Sequence, residues 1–273
     1  MNSSNQDLLA LTLQTAEVAG ELILRRRREG VTVADLKSSP VDVVTLADRE
    51  SETLIRSLLH DARPDDGFFG EEAAGGIAEQ DAGTSGLTWI VDPIDGTVNY
   101  LYDLPHYAVS IAVVEGSADP LTWTALAGVV LNPATGEVYT ASAGGGSYLN
   151  DRKLTVAPAV ELSPALVGTG FSYSAETRSR QGEIVAKLLP EVRDIRRIGA
   201  ASLDLCAVAS GRLNAYYERG LSPWDHAAAG LVAQESGAIV EGLDGRPASK
   251  EFTIAGEESV VRALYSRLLA LDN

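Results

Sequence analysis

Two carboxylates, Asp92 and Asp95, stand three residues apart in the stretch of this chain that offers the most chemistry. The residues before them, Leu87–Val91, are apolar and β-prone, which predicts a buried strand that ends at Asp92. Pro93 blocks continuation in a sheet, and Gly96 tolerates backbone angles that other residues avoid. At an effective dielectric of about 20, two charges about 4 Å apart repel by about 4 kcal/mol. The pair is therefore predicted to share a proton or to bind a cation.

The chemistry of the two side chains indicates which cation would fit. Carboxylates offer only oxygen atoms, and oxygen ligands suit a hard ion such as Mg²⁺. The alternative interpretation is a simple turn, in which Asp and Gly serve the backbone alone.

Further acidic residues occur at the ends of other elements. Glu71 and Glu72 follow a short apolar strand, and Asp225 begins a helix rich in small residues. Asp225 by itself is explained by helix capping, which is worth about 1 kcal/mol. Thr45 and Asp48 likewise have the spacing of a variant capping box.

Composition excludes several classes of protein. The chain has 273 residues, a formal net charge of −16 and 45% hydrophobic residues, which is ordinary for a globular protein. The negative charge argues against direct nucleic-acid binding and against an anionic membrane surface. A single cysteine, Cys206, fits a reducing compartment, and the polar start at Met1–Gln6 does not resemble a signal peptide. No apolar run is long enough to span a bilayer, so we expect a cytoplasmic protein without membrane partners.

The order of predicted elements divides the chain into two halves. Residues 1–150 combine helices with strand-like runs (α+β), whereas residues 151–273 alternate strands and helices (α/β). No linker separates them, so residues 1–273 are expected to form one domain. The helices predicted in the second half are Glu176–Leu189, Ser202–Ser210, Asp225–Ser236 and Ser259–Leu271.

Four motifs occur in a fixed order along the chain. They are Lys37 with Asp42-Val43-Val44-Thr45 and Asp48, then Gly70-Glu71-Glu72, then Asp92-Pro93-Ile94-Asp95-Gly96-Thr97, then Trp224-Asp225-His226-Ala227-Ala228-Ala229-Gly230. Together they resemble the inositol monophosphatase family over nearly the whole chain, and most of all its bacterial inositol-1-monophosphatase-like branch. The resemblance implies a layered α-β-α-β-α sandwich of the sugar phosphatase type, which fructose-1,6-bisphosphatase shares. It also implies a homodimer.

The resemblance assigns a set of metal ligands. Glu71, Asp92 and the backbone carbonyl of Ile94 would hold one Mg²⁺, and Asp92, Asp95 and Asp225 would hold a second, with Asp92 bridging. Mn²⁺ is expected to substitute for Mg²⁺. A weaker outer-sphere role, or a third metal, would involve three residues of the first motif, namely Lys37, Asp42 and Asp48.

The same resemblance implies roles in catalysis and substrate binding. Glu71 and the Thr97 hydroxyl would orient and deprotonate the attacking water. Backbone N–H groups at Gly96 and Thr97 would hold the phosphate if they open a helix. Sugar hydroxyls would meet Glu218, the backbone near Ala201, and Asp95, since a carboxylate is a good acceptor for a polyol. Inhibition by lithium is a further expectation.

These roles describe a Mg²⁺-dependent phosphate monoester hydrolase in which a metal-activated water attacks directly. The expected substrate is inositol-1-phosphate or a similar polyol or sugar phosphate. A histidinol-phosphate phosphatase or another sugar or nucleotide phosphatase of the family is the alternative, although Ala200 lacks the acid that an amine substrate would favour. A regulatory protein-binding partner with little catalysis is the alternative from another class.

Overall fold

The computed structural model describes residues 4–36, 43–74 and 82–272, and these form five layers of helices and sheets. The helices are α1 Asn5–Glu29, α2 Leu46–Ala62, α3 Glu71–Ala74, α4 Thr97–Leu101, α5 Ala175–Leu188, α6 Ala201–Ala209, α7 Pro223–Glu235 and α8 Glu258–Asp272. The strands are β1 Val33–Leu36, β2 Val43–Thr45, β3 Gly67–Gly70, β4 Leu87–Asp95, β5 Ala108–Glu115, β6 Thr124–Asn132, β7 Glu137–Ser142, β8 Gly146–Leu149, β9 Arg152–Lys153, β10 Leu166–Thr169, β11 Asp194–Arg196, β12 Ala215–Glu218, β13 Ile239–Glu241 and β14 Thr253–Gly256.

The first large sheet runs in the order β3-β4-β5-β6-β7-β8-β9. Only β3 and β4 are parallel to each other, and the other neighbours are antiparallel. Because β3 and β4 are parallel, the residues that follow both strands emerge at the same edge of the sheet. Glu71 and the Asp95–Thr97 turn therefore lie at one edge.

The second sheet runs in the order β11-β10-β12-β14-β13 and mixes parallel with antiparallel pairs. The alternation of strands and helices predicted for the second half is present. Its helices begin or end within a few residues of the predicted positions.

The layers are helices α1 and α2, the first sheet, helices α6 and α7, the second sheet, and helices α5 and α8. A separate apolar core fills each of the outer spaces, and a third lies between the two sheets around α6 and α7. Along β4, Trp89 and Val91 belong to the outer core, whereas Ile90 belongs to the core between the sheets. This alternation is the period of a strand that is buried on both faces. The layered sandwich that the resemblance implied is confirmed.

Strand β4 does not end at Asp92, as the sequence predicted, but continues to Asp95. Asp92 pairs with Ser110 and Asp95 pairs with Ala108, so three steps on β4 face two steps on β5. Pro93 lies in this bulge, where a missing N–H group costs no ladder hydrogen bond. The strand therefore accommodates the proline that was expected to terminate it.

Among the described helices, none combines the length and the apolar character that crossing a membrane would require.

Candidate active site

The bulge in β4 determines where its two acids point. Residues three apart on a regular strand face opposite sides of the sheet, because side chains alternate. One extra residue between Asp92 and Asp95 reverses the second side chain, so both carboxylates turn to the same side. Oxygen atoms of Asp92, Asp95 and Asp225 lie within 4.8 Å of one another.

Asp225 reaches this cluster from the start of α7. Its carboxylate accepts a hydrogen bond from the backbone N–H of Ser222 at 2.6 Å, which completes a capping box at the helix start. A Cβ at Gly128 in β6 would lie 2.9 Å from the Cα of Ala228. Small residues on both elements thus let α7 approach the first sheet closely, and Asp225 serves as both cap and cluster member.

Glu71 begins α3 directly after β3, beside the end of β4. Its side chain interacts with Asp92 through charge and through a hydrogen bond. The three-carboxylate cluster is thereby extended to a fourth acid from another part of the chain.

The electrostatics of the cluster favour a bound cation. Burial, followed by the charges of Glu71, Asp95 and Asp225, holds the pKa of Asp92 well above its usual range. Burial and neighbouring acids likewise raise the pKa of Asp225, and they raise that of Asp95 to about 6 despite hydrogen bonds from Ser202. Carboxylates that resist ionisation together and offer only oxygen are a donor set suited to a hard divalent ion.

Asp48 has a second contact that capping does not explain. It accepts the backbone N–H of Thr45 at 2.8 Å, and its other oxygen lies 3.2 Å from the Thr97 hydroxyl. Asp48 is fully buried, and this burial raises its pKa to about 7. Capping explains the contact with Thr45 but not the contact with Thr97, which is 49 residues away in sequence.

Ser202 is a site residue that sequence reasoning missed. Its backbone N–H donates to Asp95 at 2.8 Å, and its hydroxyl donates to the same oxygen. A carboxylate at the start of α6 also complements the helix dipole. Asp95 of the first sheet is thus joined to a helix of the second half. A serine in the first turn of a predicted helix was the only available signal.

The turn after Asp95 lies next to the carboxylate cluster. Gly96 has a φ of +87°, in the left-handed region, and a Cβ there would lie 2.8 Å from the carbonyl oxygen of His106. Helix α4 begins at Thr97, so these residues open a short helix as the sequence interpretation required.

Two further buried acids, Asp204 and Glu218, come from the second half of the chain, and both interact with Asp95 through charge. Glu218 ends β12, accepts a hydrogen bond from the Tyr216 hydroxyl, and has its pKa raised by burial to about 7. Asp204 of α6 is 1% exposed, and burial together with the charge of Glu218 raises its pKa. The positive charge of Arg197 acts in the opposite direction and lowers the pKa of both Asp204 and Glu218. Sequence reasoning assigned a role to Glu218 but to neither Asp204 nor Arg197.

All nine residues predicted for the site border one cavity of about 670 Å³. They are Glu71, Asp92, Ile94, Asp95, Gly96, Thr97, Ala201, Glu218 and Asp225. Lys37 and Asp42, predicted for a weaker metal role, lie outside the described residues.

Neither His226 nor Cys206, both of which are buried, borders this cavity. His226 packs against Trp123 with ring centroids 5.7 Å apart, and burial lowers its pKa to about 4. Cys206 is fully buried in α6, and burial raises the pKa of its thiol. Both side chains are therefore packed against neighbouring residues and do not line the cavity.

Comparison with known proteins gives a consistent result. Residues 4–271 match the sequence model of the inositol monophosphatase family. An inositol-1-monophosphatase SuhB of Mycobacterium tuberculosis is 45% identical over 229 residues, which cover 82% of this chain and 76% of that protein. A Nus factor SuhB of Pseudomonas aeruginosa is 37% identical over 272 residues, which cover 96% of each.

A solved structure shows the same architecture. Mycobacterium tuberculosis SuhB superposes with a TM-score of 0.81 at 37% identity, covering 99% of this chain and 98% of that one. The similarity therefore extends through both sheets and all the cavity walls.

Proposed function

The chain belongs to the inositol monophosphatase family, and from this premise we propose that it is a Mg²⁺-dependent phosphate monoester hydrolase. Its proposed substrate is inositol-1-phosphate or a similar polyol phosphate. The observation that supports this proposal most directly is the oxygen-only cluster of Asp92, Asp95 and Asp225, which lines the same cavity as Glu218. A cation-binding cluster and a hydroxyl acceptor in one cavity suit a molecule with a phosphate at one end and a polyol at the other.

The acidic cluster would hold the metal ions. Glu71, Asp92 and the Ile94 carbonyl would hold one ion, and Asp92, Asp95 and Asp225 would hold a second. When bound, Mg²⁺ (or Mn²⁺) neutralises phosphoryl oxygens, makes a water more acidic and stabilises the departing alkoxide. A weaker outer-sphere role, or a third ion, would involve Lys37, Asp42 and Asp48.

Thr97 and Glu71 would orient and deprotonate the attacking water. The Thr97 hydroxyl is oriented by Asp48 and by the Ile94 carbonyl oxygen, at 3.2 and 3.1 Å. With its proton donated to either acceptor, the Thr97 oxygen can accept a hydrogen bond from water. Glu71, beside Asp92, would take the proton that the water releases. Backbone N–H groups of Gly96 and Thr97 would hold phosphate without adding a charge.

The polyol leaving group would be recognised by residues around Glu218. Glu218 would accept hydrogen bonds from vicinal hydroxyls, aided by the backbone near Ala201 and by Asp95. The Tyr216 hydroxyl fixes the orientation of the Glu218 carboxylate. Such placement of the substrate supplies much of the rate enhancement in reactions of this kind.

A panel of phosphate esters tests the proposal. The purified protein should release phosphate in millimolar Mg²⁺ and lose this activity in EDTA and in Asp92→Asn. Exposed Asp61 provides a control variant, Asp61→Asn, that should behave like wild type. Inositol-1-phosphate should be hydrolysed faster than histidinol phosphate, fructose-1,6-bisphosphate or a phosphoadenosine phosphate. A different ranking would favour the alternative family activities.

A regulatory role is the second candidate, because the relatives from Pseudomonas aeruginosa and Xylella fastidiosa are each named a Nus factor. It would operate through a protein partner, since the net charge of −16 does not favour direct nucleic-acid binding. The predicted metal ligands and Thr97 are all present in this chain, which supports an enzyme. No turnover on any ester by the folded protein would favour the regulatory role.

Two further proposals concern the setting of the protein. We propose a homodimer, supported by the exposed neighbours Tyr102 and Leu104, which are 73% and 51% accessible. We also propose a cytoplasmic location, supported by the single buried cysteine.

A further inference from the structure

Glu52 is a buried acid that neither the sequence motifs nor the proposed mechanism uses. It lies on α2 one turn after Asp48, and it is 6% exposed. Its Oε2 accepts a hydrogen bond from the backbone N–H of Glu72 at 2.8 Å. The contact joins α2 to the residue that follows Glu71.

The junction between β3 and α3 is shaped around this carboxylate. A Cβ at Gly70 would fall on the Glu52 carboxylate and within 2.8 Å of the Phe68 ring. Only glycine at position 70 therefore allows Glu52 to approach the backbone immediately before Glu71. Ordinary side chains would push Glu52 away from the Glu72 N–H group.

Helix α3 is too short to be stable on its own. It comprises only Glu71–Ala74, and the first N–H groups of any helix lack partners within the helix. Helices this short are unstable without tertiary contacts. Glu52 supplies an acceptor oxygen for one of these N–H groups, that of Glu72.

We propose that Glu52 is a positioning residue, which fixes the backbone at Glu72 and thereby directs the Glu71 carboxylate at Asp92. This inference rests on the proposed phosphatase function. Displacements of about 1 Å can lower turnover by about 100-fold, and loss of a residue that orients a metal ligand lowers activity or metal affinity by about 10- to 100-fold. Its contribution lies in where its oxygen atom is, and not in its charge.

Three substitutions separate position from charge. Glu52→Gln keeps an acceptor oxygen at the same reach and removes the charge. Glu52→Asp keeps the charge and withdraws the oxygen by one methylene, and Glu52→Ala removes both. Glu50→Ala is the matched control, because Glu50 lies on the same helix but is exposed and pairs with Arg26 at 2.6 Å.

The readouts are kcat, KM, the Mg²⁺ concentration for half-maximal activity, and amide hydrogen exchange over residues 70–74. We expect Glu52→Asp and Glu52→Ala to lower kcat by about 10- to 100-fold, to need more Mg²⁺, and to exchange faster at Glu72. KM should change little. Glu52→Gln should recover most of kcat and the exchange protection, and Glu50→Ala should match wild type.

Two results would overturn the proposal. One is wild-type kcat and exchange in Glu52→Asp, and the other is a Glu52→Gln variant as impaired as Glu52→Ala. If Glu52→Ala fails to fold, the Asp and Gln variants still decide between position and charge. Absence of phosphatase activity in wild type would reject the proposed function, whereas the exchange comparison tests the Glu52 contact independently.

Discussion

The hydroxyl oxygen of Thr97 lies 3.2 Å from Oδ1 of Asp48, although the two residues are 49 positions apart. The same hydroxyl lies 3.1 Å from the carbonyl oxygen of Ile94. A hydroxyl has one proton, so Thr97 can donate to only one of the two at a time. Asp48 thus connects the start of α2 to the turn that follows the β4 bulge.

This contact predicts how Thr97 and Asp48 variants behave. Thr97→Ala should lower kcat by about 10²- to 10⁴-fold with a small change in KM, because water loses its oriented acceptor. Thr97→Ser keeps the hydroxyl and should retain most of the activity. Asp48→Asn should fall between them. Steady-state kinetics with inositol-1-phosphate provide the measurement, and equal activity of the Ala and Ser variants would contradict the role.

The acidic cluster predicts a pH-dependent stabilisation by Mg²⁺. Burial raises the pKa of Asp95 from 3.8 to about 6, a change equivalent to about 3 kcal/mol. Between those two values the native state holds a proton that the unfolded state has released. The metal-free protein therefore loses stability as pH rises through this window. By pH 8 the carboxylates repel one another unless a cation is bound.

Thermal unfolding in EDTA and in Mg²⁺ measures this effect. The rise in Tm caused by Mg²⁺ should be larger at pH 8 than at pH 5.5, because protons compete with the metal at the lower pH. Asp92→Asn should reduce the rise at both pH values. An equal rise at both pH values in wild type would argue against metal binding by these carboxylates.

Glu218 predicts a difference between substrates with and without hydroxyl groups. Glu218→Ala should lower kcat/KM for inositol-1-phosphate by about 10- to 100-fold, since a hydrogen bond to a charged group contributes about 1.5–3 kcal/mol. Phenyl phosphate, which has no hydroxyl groups to bind, should be affected much less. A similar loss on both substrates would show that Glu218 serves the structure of the cavity through Tyr216.

Lithium is expected to inhibit the enzyme, as the family resemblance implies. Li⁺ is a small, hard cation, and the cluster of Asp92, Asp95 and Asp225 offers it only oxygen ligands. Mg²⁺-dependent phosphate release should fall in millimolar LiCl and stay constant in NaCl of the same concentration. Activity that millimolar Li⁺ leaves unchanged would refute this prediction.

The exposed pair Tyr102 and Leu104 predicts a surface that self-associates. Light scattering after gel filtration should give the mass of a dimer, and the double variant Tyr102→Ser with Leu104→Ser should shift it toward a monomer. Leu189→Ser is a suitable control, because Leu189 is 48% exposed on another part of the molecule. A monomeric wild type would reject the homodimer, and a variant that stays dimeric would place the interface elsewhere.

The family, the layered fold and five of the acids that border the cavity could be predicted from the sequence. The five are Glu71, Asp92, Asp95, Glu218 and Asp225, and the sixth, Asp204, was not predicted. These features were readable because chemistry depends on residue type at fixed local spacing, as in Asp92, Asp95 and Thr97. The capping boxes at Thr45 and Ser222 are local in the same sense, since each closes within three residues. Element positions followed from periodicity to within a few residues.

How these local pieces meet depends on the packing of the folded chain. The β4 bulge depends on pairing with β5, so sequence reasoning ended the strand at Asp92. The contacts of Asp48 with Thr97, Asp95 with Ser202, and Glu52 with Glu72 join residues 20 to 107 positions apart. Packing of separate elements creates these contacts, and spacing along the chain does not encode them. The residues that hold the site in place therefore became visible only in the folded chain.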